Sequence, residues 1–384
     1  MSWSALCRLL RAVPSTANSA GSHCCRNQPG SGEGMAAAQL ILSVDYEVFG
    51  DGSGEPRRCV QDPARRIMQV AEGFDAPVTL FVDAAGFAMM ESELRSVCSV
   101  AAIKAQLAAA LERGHDLQLH LHPQWEGGRM DAEGEWQLDL SRWRIADLSD
   151  GEIRVLLKEG RTWLEDLARS RQPDYRCIAF RAGGWCIQPS ERVVRALRKL
   201  DFLIDSSVAP GMRNTTKGEW LDFTKAPKLP YWMTRGDVCT PEKKGLYEMP
   251  IATARIDPVR HMRALVAVKG RPDAGFASGC EGSYRGPGGT VSGVVGRLAK
   301  LSKLGQVMLD FSSMPSRVLI DVSRKWLKQF DGVTDVPLPL VAIGHTKNFS
   351  AASEQALAEY LEWASGEGIA FTTFPAWLDA LNAD

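Results

Sequence analysis

Short apolar runs alternate with helix-length amphipathic stretches along nearly the whole chain, and this rhythm constrains the fold most. The runs AQLILSVD (Ala38 to Asp45), PVTLFVD (Pro77 to Asp83), a histidine-bearing run inside Gly114 to Trp125, Arg176 to Phe180, Phe202 to Ile204, Tyr247 to Ile251, Gln306 to Leu309, Leu338 to Ile343 and Ile369 to Phe371 read as buried strands. Helical patterns separate them: Asp62 to Ala71, with Asp62 as cap and Pro63 at the first position; Glu91 to Arg113, closed by Gly114; Gly151 to Arg169; and a helix that Ser190 caps and that runs through Lys199. Strands alternating with helices predict parallel βαβ units, in a barrel or an open doubly wound sheet. No internal repeat and no linker between two cores interrupts the pattern.

Polar residues sit where such folds place their sites, at the C-terminal ends of strands. Asp45, Glu47, His120, His122, Arg181, Asp205 and His345 all occupy that position in the predicted order. Strand side chains alternate faces, so His120 and His122 share a side, with Leu119 and Leu121 opposite. Paired imidazoles suit a divalent metal, zinc above all. Asp45 and Glu47 are also two apart, and two carboxylates on one face repel unless a metal or a proton lies between them. Glu47, His120 and His122 together offer one oxygen and two nitrogen ligands, which leaves a coordination position open, the catalytic arrangement. Asp45 then suits a general base, held ionised by the Arg181 guanidinium. His345 suits a general acid, with Asp205 as its orienting partner. His115, at the strand entrance, reads as structural. Gly183 and Gly184 open the backbone for close approach, Trp185 offers a flat apolar wall, and the Trp-rich stretch beginning at Trp125 is expected to shape the cleft.

Other features set bounds. Net charge is -1 and no basic block is interleaved with aromatics, which argues against nucleic acid as a partner. No apolar run is long enough to cross a bilayer. The nine cysteines are scattered without a Cys-x-x-Cys pair, which favours a reducing compartment, the cytoplasm. Residues 1–34 contain Arg8, Arg11 and Arg26 and no acid before Glu33; they read as a disordered extension or an over-long start before Met35, with a targeting signal as the minority view. Residues 35–384 are expected to form one catalytic domain. Arg271 to Gly293 is glycine-rich and reads as a long surface loop.

With these residues in hand, the chain resembles the polysaccharide deacetylases of the NodB-homology type, carbohydrate esterase family four, and within them the WalW-like proteins of lipopolysaccharide biosynthesis. The motifs are Ser43-Val44-Asp45-Tyr46-Glu47, Gly114-His115-Asp116 leading to His120-Leu121-His122-Pro123, Arg181-Ala182-Gly183-Gly184-Trp185, Asp205-Ser206-Ser207 and Ile343-Gly344-His345. The resemblance implies a deformed (β/α)7 barrel, a divalent metal on one acid and two histidines, and hydrolysis of an N-acetyl, sometimes O-acetyl, group on a carbohydrate. It implies Asp45 as base, Arg181 as its tether, His345 as acid and Asp205 as the partner of that acid. Two departures stand out. The adjacent Asp-Asp of the family's first motif is here Asp45-Tyr46-Glu47, and the histidines are two apart rather than four, with Gln124 where the later one would stand. Two other readings remain open at this level: another metal-dependent amidohydrolase, and a catalytically silent sugar-binding barrel.

Overall fold

The computed structural model describes residues 38–93, 96–216, 218–261, 263, 305–331 and 336–383. The extension 1–34 and the stretch Arg271 to Gly293 therefore lie outside the described residues. Strand β1 (Ala38–Tyr46) is flanked on one edge by β2 (Val78–Asp83), then β3 (Asp116–Leu121), β4 (Ala179–Ala182) and β5 (Ile204–Asp205). Beyond β5 come β7 (Leu246–Glu248) and, antiparallel to it, β6 (Trp232–Thr234). The other edge of β1 pairs along its length with β8 (Leu338–His345), and the two-residue β9 (Ala370–Phe371) adds to Gln39 and Leu40. All other pairings in this sheet are parallel.

The sheet curls until its ends meet. Ile251, three residues past β7, bridges Val341 of β8, and Asp310 bridges Ile343, both in parallel. The fold is thus α/β with a curled, barrel-like parallel sheet, as the rhythm of the sequence predicts. Strands buried on both sides read as largely apolar runs, which is why β1, β2 and β8 are legible, whereas β3 alternates leucines with Asp116, Gln118 and His120. Helices α1 (Asp62–Glu72), α2 (Ala84–Ser92), α3 (Val97–Glu112), α4 (Asp150–Arg169), α5 (Glu191–Lys199), α6 (Ser316–Lys328), α7 (Ala351–Gly366) and α8 (Phe374–Ala383) cover the outside. Among the described residues no helix is long and apolar enough to cross a membrane.

Several local expectations shift. The predicted Glu91 to Arg113 helix begins only at Val97, and a separate helix, α2, ends at Ser92. Asp62 lies inside a continuous helical path rather than at its cap, because a π turn at Arg57–Gln61 leads into α1. Ser190 precedes α5 but does not cap it; its hydroxyl donates to the Gly236 carbonyl and accepts from the Val238 N–H. Strand β4 runs two residues further than predicted, so Arg181 lies inside it, paired with His120. The register matters more than these ends. Asp45 is opposite His345, Asp83 and Arg181 both flank His120, and Asp205 is opposite Phe180 and Glu248. Parallel pairing alone carries these polar groups to one end of the sheet.

Candidate active site

At that end, Glu47 follows β1 directly and His122 follows β3 directly, while Asp45 and His120 are the last or nearly last residues of their strands. All four side chains are buried. Glu47 Oε2 lies 2.7 Å from His122 Nε2 and 3.6 Å from His120 Nε2. One ligand atom from each of the three residues falls within 4.8 Å of the others. All three atoms are shielded from solvent, and none has a partner outside the set. Buried polar atoms that face only one another in this way suit a shared bound ion.

The surroundings prepare the imidazoles. The Arg181 carbonyl can only accept, so the His120 Nδ1 that lies 3.0 Å from it carries a proton, and Nε2 is the nitrogen turned toward Glu47. Behind His122, the Gln124 amide nitrogen lies 3.0 Å from Nδ1 and 3.0 Å from the Gly50 carbonyl, while the amide oxygen has no partner. The amide nitrogen can only donate, so Nδ1 accepts and the neutral His122 ring carries its proton on Nε2, toward Glu47 Oε2; ligation through Nε2 would displace that proton. Gln124 contacts His122 from behind and contributes no atom to the Glu47, His120 and His122 set. The donor set, two imidazoles and one carboxylate, fits a divalent transition metal such as zinc.

Glu47 has a further partner that the sequence reading missed. Lys347 Nζ donates to Glu47 Oε1 at 2.7 Å. Burial alone would raise the Glu47 pKa, but Lys347 and His122 outweigh it and hold the carboxyl well below its usual range. A visible signal existed: Asp45 is opposite His345, so the next residue but one on each strand, Glu47 and Lys347, are neighbours.

Asp45 stands beside this set. Arg181 Nη1 donates to its Oδ1 at 2.7 Å, and the same guanidinium donates to the Ser43 and Ser206 hydroxyls and to the Ser206 carbonyl. Its plane also covers Phe81, 4.1 Å away. Burial pushes the Asp45 pKa up, yet Arg181, His120 and His345 together bring it below the ordinary value. The second oxygen, Oδ2, faces His345 Nε2 at 3.5 Å and His120 Nε2 at 3.9 Å. For His120 burial lowers the pKa, but Asp45 and Glu47 reverse this and raise it to about 8.

A cavity of about 260 Å³ opens onto Asp45, Glu47, His122 and His345, with Phe49, Trp143, Trp185, Asp310 and Lys347 in its walls. Gly184 and Trp185 have φ of 57° and 58°, both left-handed. For tryptophan that conformation is costly, and strain of this kind concentrates where a side chain must be aimed. Here it sets the Trp185 indole edge-to-face against His345, 5.8 Å between centroids. Gly183 is required for another reason, since a Cβ there would lie 2.7 Å from His122 Nδ1.

Two anticipated residues are not brought to this cavity. Trp125 is 1% exposed and packs on Trp136 in the core. The cleft wall is instead Trp143, which lies edge-to-face with His122 at 5.7 Å. Asp205 does not line the cavity beside His345. Its oxygens accept from the Ser207 hydroxyl at 2.8 Å and backbone N–H at 3.2 Å, and it shares a hydrogen bond with Glu248 on the next strand. The acid that does line the cavity with His345 is Asp310, held by the Ser312 and Ser313 hydroxyls at 2.6 and 2.7 Å. His115 is structural, as expected: Nδ1 accepts from the Val78 N–H at 3.1 Å and Nε2 lies 2.9 Å from Glu72.

The sequence matches no protein-family model and no curated protein. Among solved structures the fold is similar to a protein of Mycobacterium smegmatis assigned as a polysaccharide deacetylase, with 14% identity over 94% of this chain and 96% of that one, at a TM-score of 0.45. It is similar to an allantoinase, with 14% identity over 93% and 94% of the two chains and a TM-score of 0.46. It is also similar to a peptidoglycan N-acetylglucosamine deacetylase, with 10% identity over 88% and 87% and a TM-score of 0.39. At such distances the activity has to be argued from the side chains themselves.

Proposed function

We propose that the chain is a metal-dependent hydrolase that removes an N-acetyl group from a carbohydrate, in the manner of the family-four carbohydrate esterases its motifs resemble. One observation carries this reading. Three buried ligand atoms with no partner outside their own set, Glu47 Oε2, His120 Nε2 and His122 Nε2, converge beside an acid–base pair at the floor of an open cavity. A divalent ion held there, most simply zinc, supplies Lewis acidity to the acyl carbonyl and to water.

The chain's own groups do the rest. Arg181 occupies Asp45 Oδ1 and keeps the carboxyl ionised, so Oδ2 is the oxygen that accepts a proton from the attacking water. His345 Nε2, across from Oδ2, donates the proton that the departing sugar nitrogen needs. A backbone N–H near the Gly183-Gly184 turn would stabilise the oxyanion. Trp143 and Trp185 supply flat walls for a sugar ring. Surface-polysaccharide or lipopolysaccharide assembly in the cytoplasm is the setting this reading favours.

The test is acetate release from N-acetylated glycans and nucleotide-linked N-acetyl sugars, with and without a chelator. Chelator-sensitive release supports the proposal. Sugar binding without release points to a silent barrel, and release only from small non-sugar amides points to an amidohydrolase.

A further inference from the structure

A second cavity, of about 170 Å³, adjoins the catalytic one and is lined in part by the same Gly184 and Trp185. A second wall is shared as well. Met308 lines the new cavity and Asp310, two residues on along the same extended segment, lines the catalytic one. The two spaces therefore adjoin at Gly184 and Trp185. The lining beyond Trp185 is mostly hydrocarbon, from Ala209, Met212, Leu221, Phe223 and Met308. The polar residues that also line it, Arg213, Asn214 and Glu219, are engaged with one another or with a nearby acid, Asn214 with Glu219 at 3.2 Å and Arg213 with Asp222 at 3.2 Å. Trp185 Nε1, at the junction, is shielded from solvent and has no hydrogen-bond partner.

A sugar ring is a poor guest for so largely apolar a lining, because most of its hydroxyls would lose water without gaining partners. The apolar portion of an N-acyl sugar is its acyl chain. Resting on the reading that Glu47, His120 and His122 hold the hydrolytic metal, we infer that this compartment receives the acyl chain, and that N-acyl groups longer than acetyl are cleaved in preference to it. With the carbonyl in the catalytic cavity, the chain runs past Trp185 into the second one, and the indole N–H is free to donate to a substrate oxygen. An apolar cavity of about 150 Å³ holds a benzene-sized guest, so a space of this size suits roughly a six-carbon chain. The reaction is an ordinary hydrolysis. Water oxygen bonds to the acyl carbon, the C–N bond breaks, the nitrogen departs with a proton as the sugar amine, and the chain leaves as the carboxylic acid.

The experiment compares amine release from N-acetyl, N-butanoyl and N-hexanoyl glucosamine by the full zinc-loaded chain. The expected result is a kcat/KM for the hexanoyl compound at least tenfold above the acetyl one. Filling the compartment by Met212→Trp, or by the smaller change Leu221→Phe, should lower the hexanoyl-to-acetyl ratio at least tenfold. A preference for acetyl, or a ratio unmoved in both folded variants, overturns the inference while leaving the deacetylase reading standing. If no compound is cleaved, that reading fails, and calorimetry with N-hexanoyl glucosamine decides the compartment separately. Binding to the wild type that Met212→Trp abolishes supports it, and absence of binding to the wild type overturns it.

Discussion

Glu248→Gln is a demanding test of the polar network beneath the site. Glu248 and Asp205 face each other across adjacent strands, and both are fully buried. Glu248 Oε1 accepts from the Val208 N–H at 3.2 Å, while Oε2 has no conventional donor. Burial pushes the Glu248 pKa well above the ordinary 4.5, and the neighbouring Asp205 pushes it further. The group is thus a neutral acid that donates to Asp205; Asp205 accepts from Ser207, and the Ser207 hydroxyl accepts from the Ala182 N–H at 2.9 Å. This chain fixes the segment that carries Arg181 and Gly183. Below about pH 4.5 both folded and unfolded chains hold the Glu248 proton. Above it the unfolded chain releases the proton and the folded chain keeps it. The folded state then binds one proton more, and stability falls by about 1.4 kcal/mol per pH unit until the folded pKa is passed. Glutamine donates an N–H at every pH and removes that slope. Urea unfolding followed by tryptophan fluorescence at pH 5 and pH 6 should therefore show the variant gaining about 1.4 kcal/mol on the wild type across the interval. Parallel stability curves, or a variant that loses ground as pH rises, would refute the neutral-acid assignment.

Asp45→Asn should lower turnover at least 100-fold while metal still binds, whereas His120→Ala should lose the metal; full activity in both, in steady-state assays with metal analysis, sinks the site assignment. Lys347→Met removes a cation hydrogen-bonded to a ligand carboxylate, so zinc affinity measured against a competing chelator should rise about tenfold or more, and a fall would show that Lys347 is needed to hold Glu47 in place. Gly183→Ala places a Cβ 2.7 Å from both His122 Nδ1 and the Leu121 carbonyl, which should cost about 1–3 kcal/mol of stability and about tenfold in zinc affinity; unchanged values would mean that the backbone relaxes freely there.

The strands and the polar residues at their ends could be read from the sequence because two-sided burial and parallel pairing impose them locally. Asp45, Glu47, His120, His122, Arg181 and His345 needed only the period of two and the strand ends to be placed together. What failed to show depended on partners remote in sequence. Asp205 was assigned to His345 because nothing local reveals that Glu248, 43 residues on, lies opposite it. Trp125 and Trp143 are equally aromatic and share one irregular connection; only the folded path of that connection turns the first into the core and the second into the cavity. Asp310 directly follows the run Gln306 to Leu309, but only a bridge to Ile343 of β8, remote in sequence, brings it to the cavity.

The central claim is that Glu47, His120 and His122 hold one catalytic divalent ion. Titrating zinc by calorimetry into chelator-stripped chain tests it directly. One equivalent of zinc should bind per chain, and that binding should be lost in both His120→Ala and His122→Ala. Absence of zinc binding in the wild type, or binding that survives both substitutions, would contradict it.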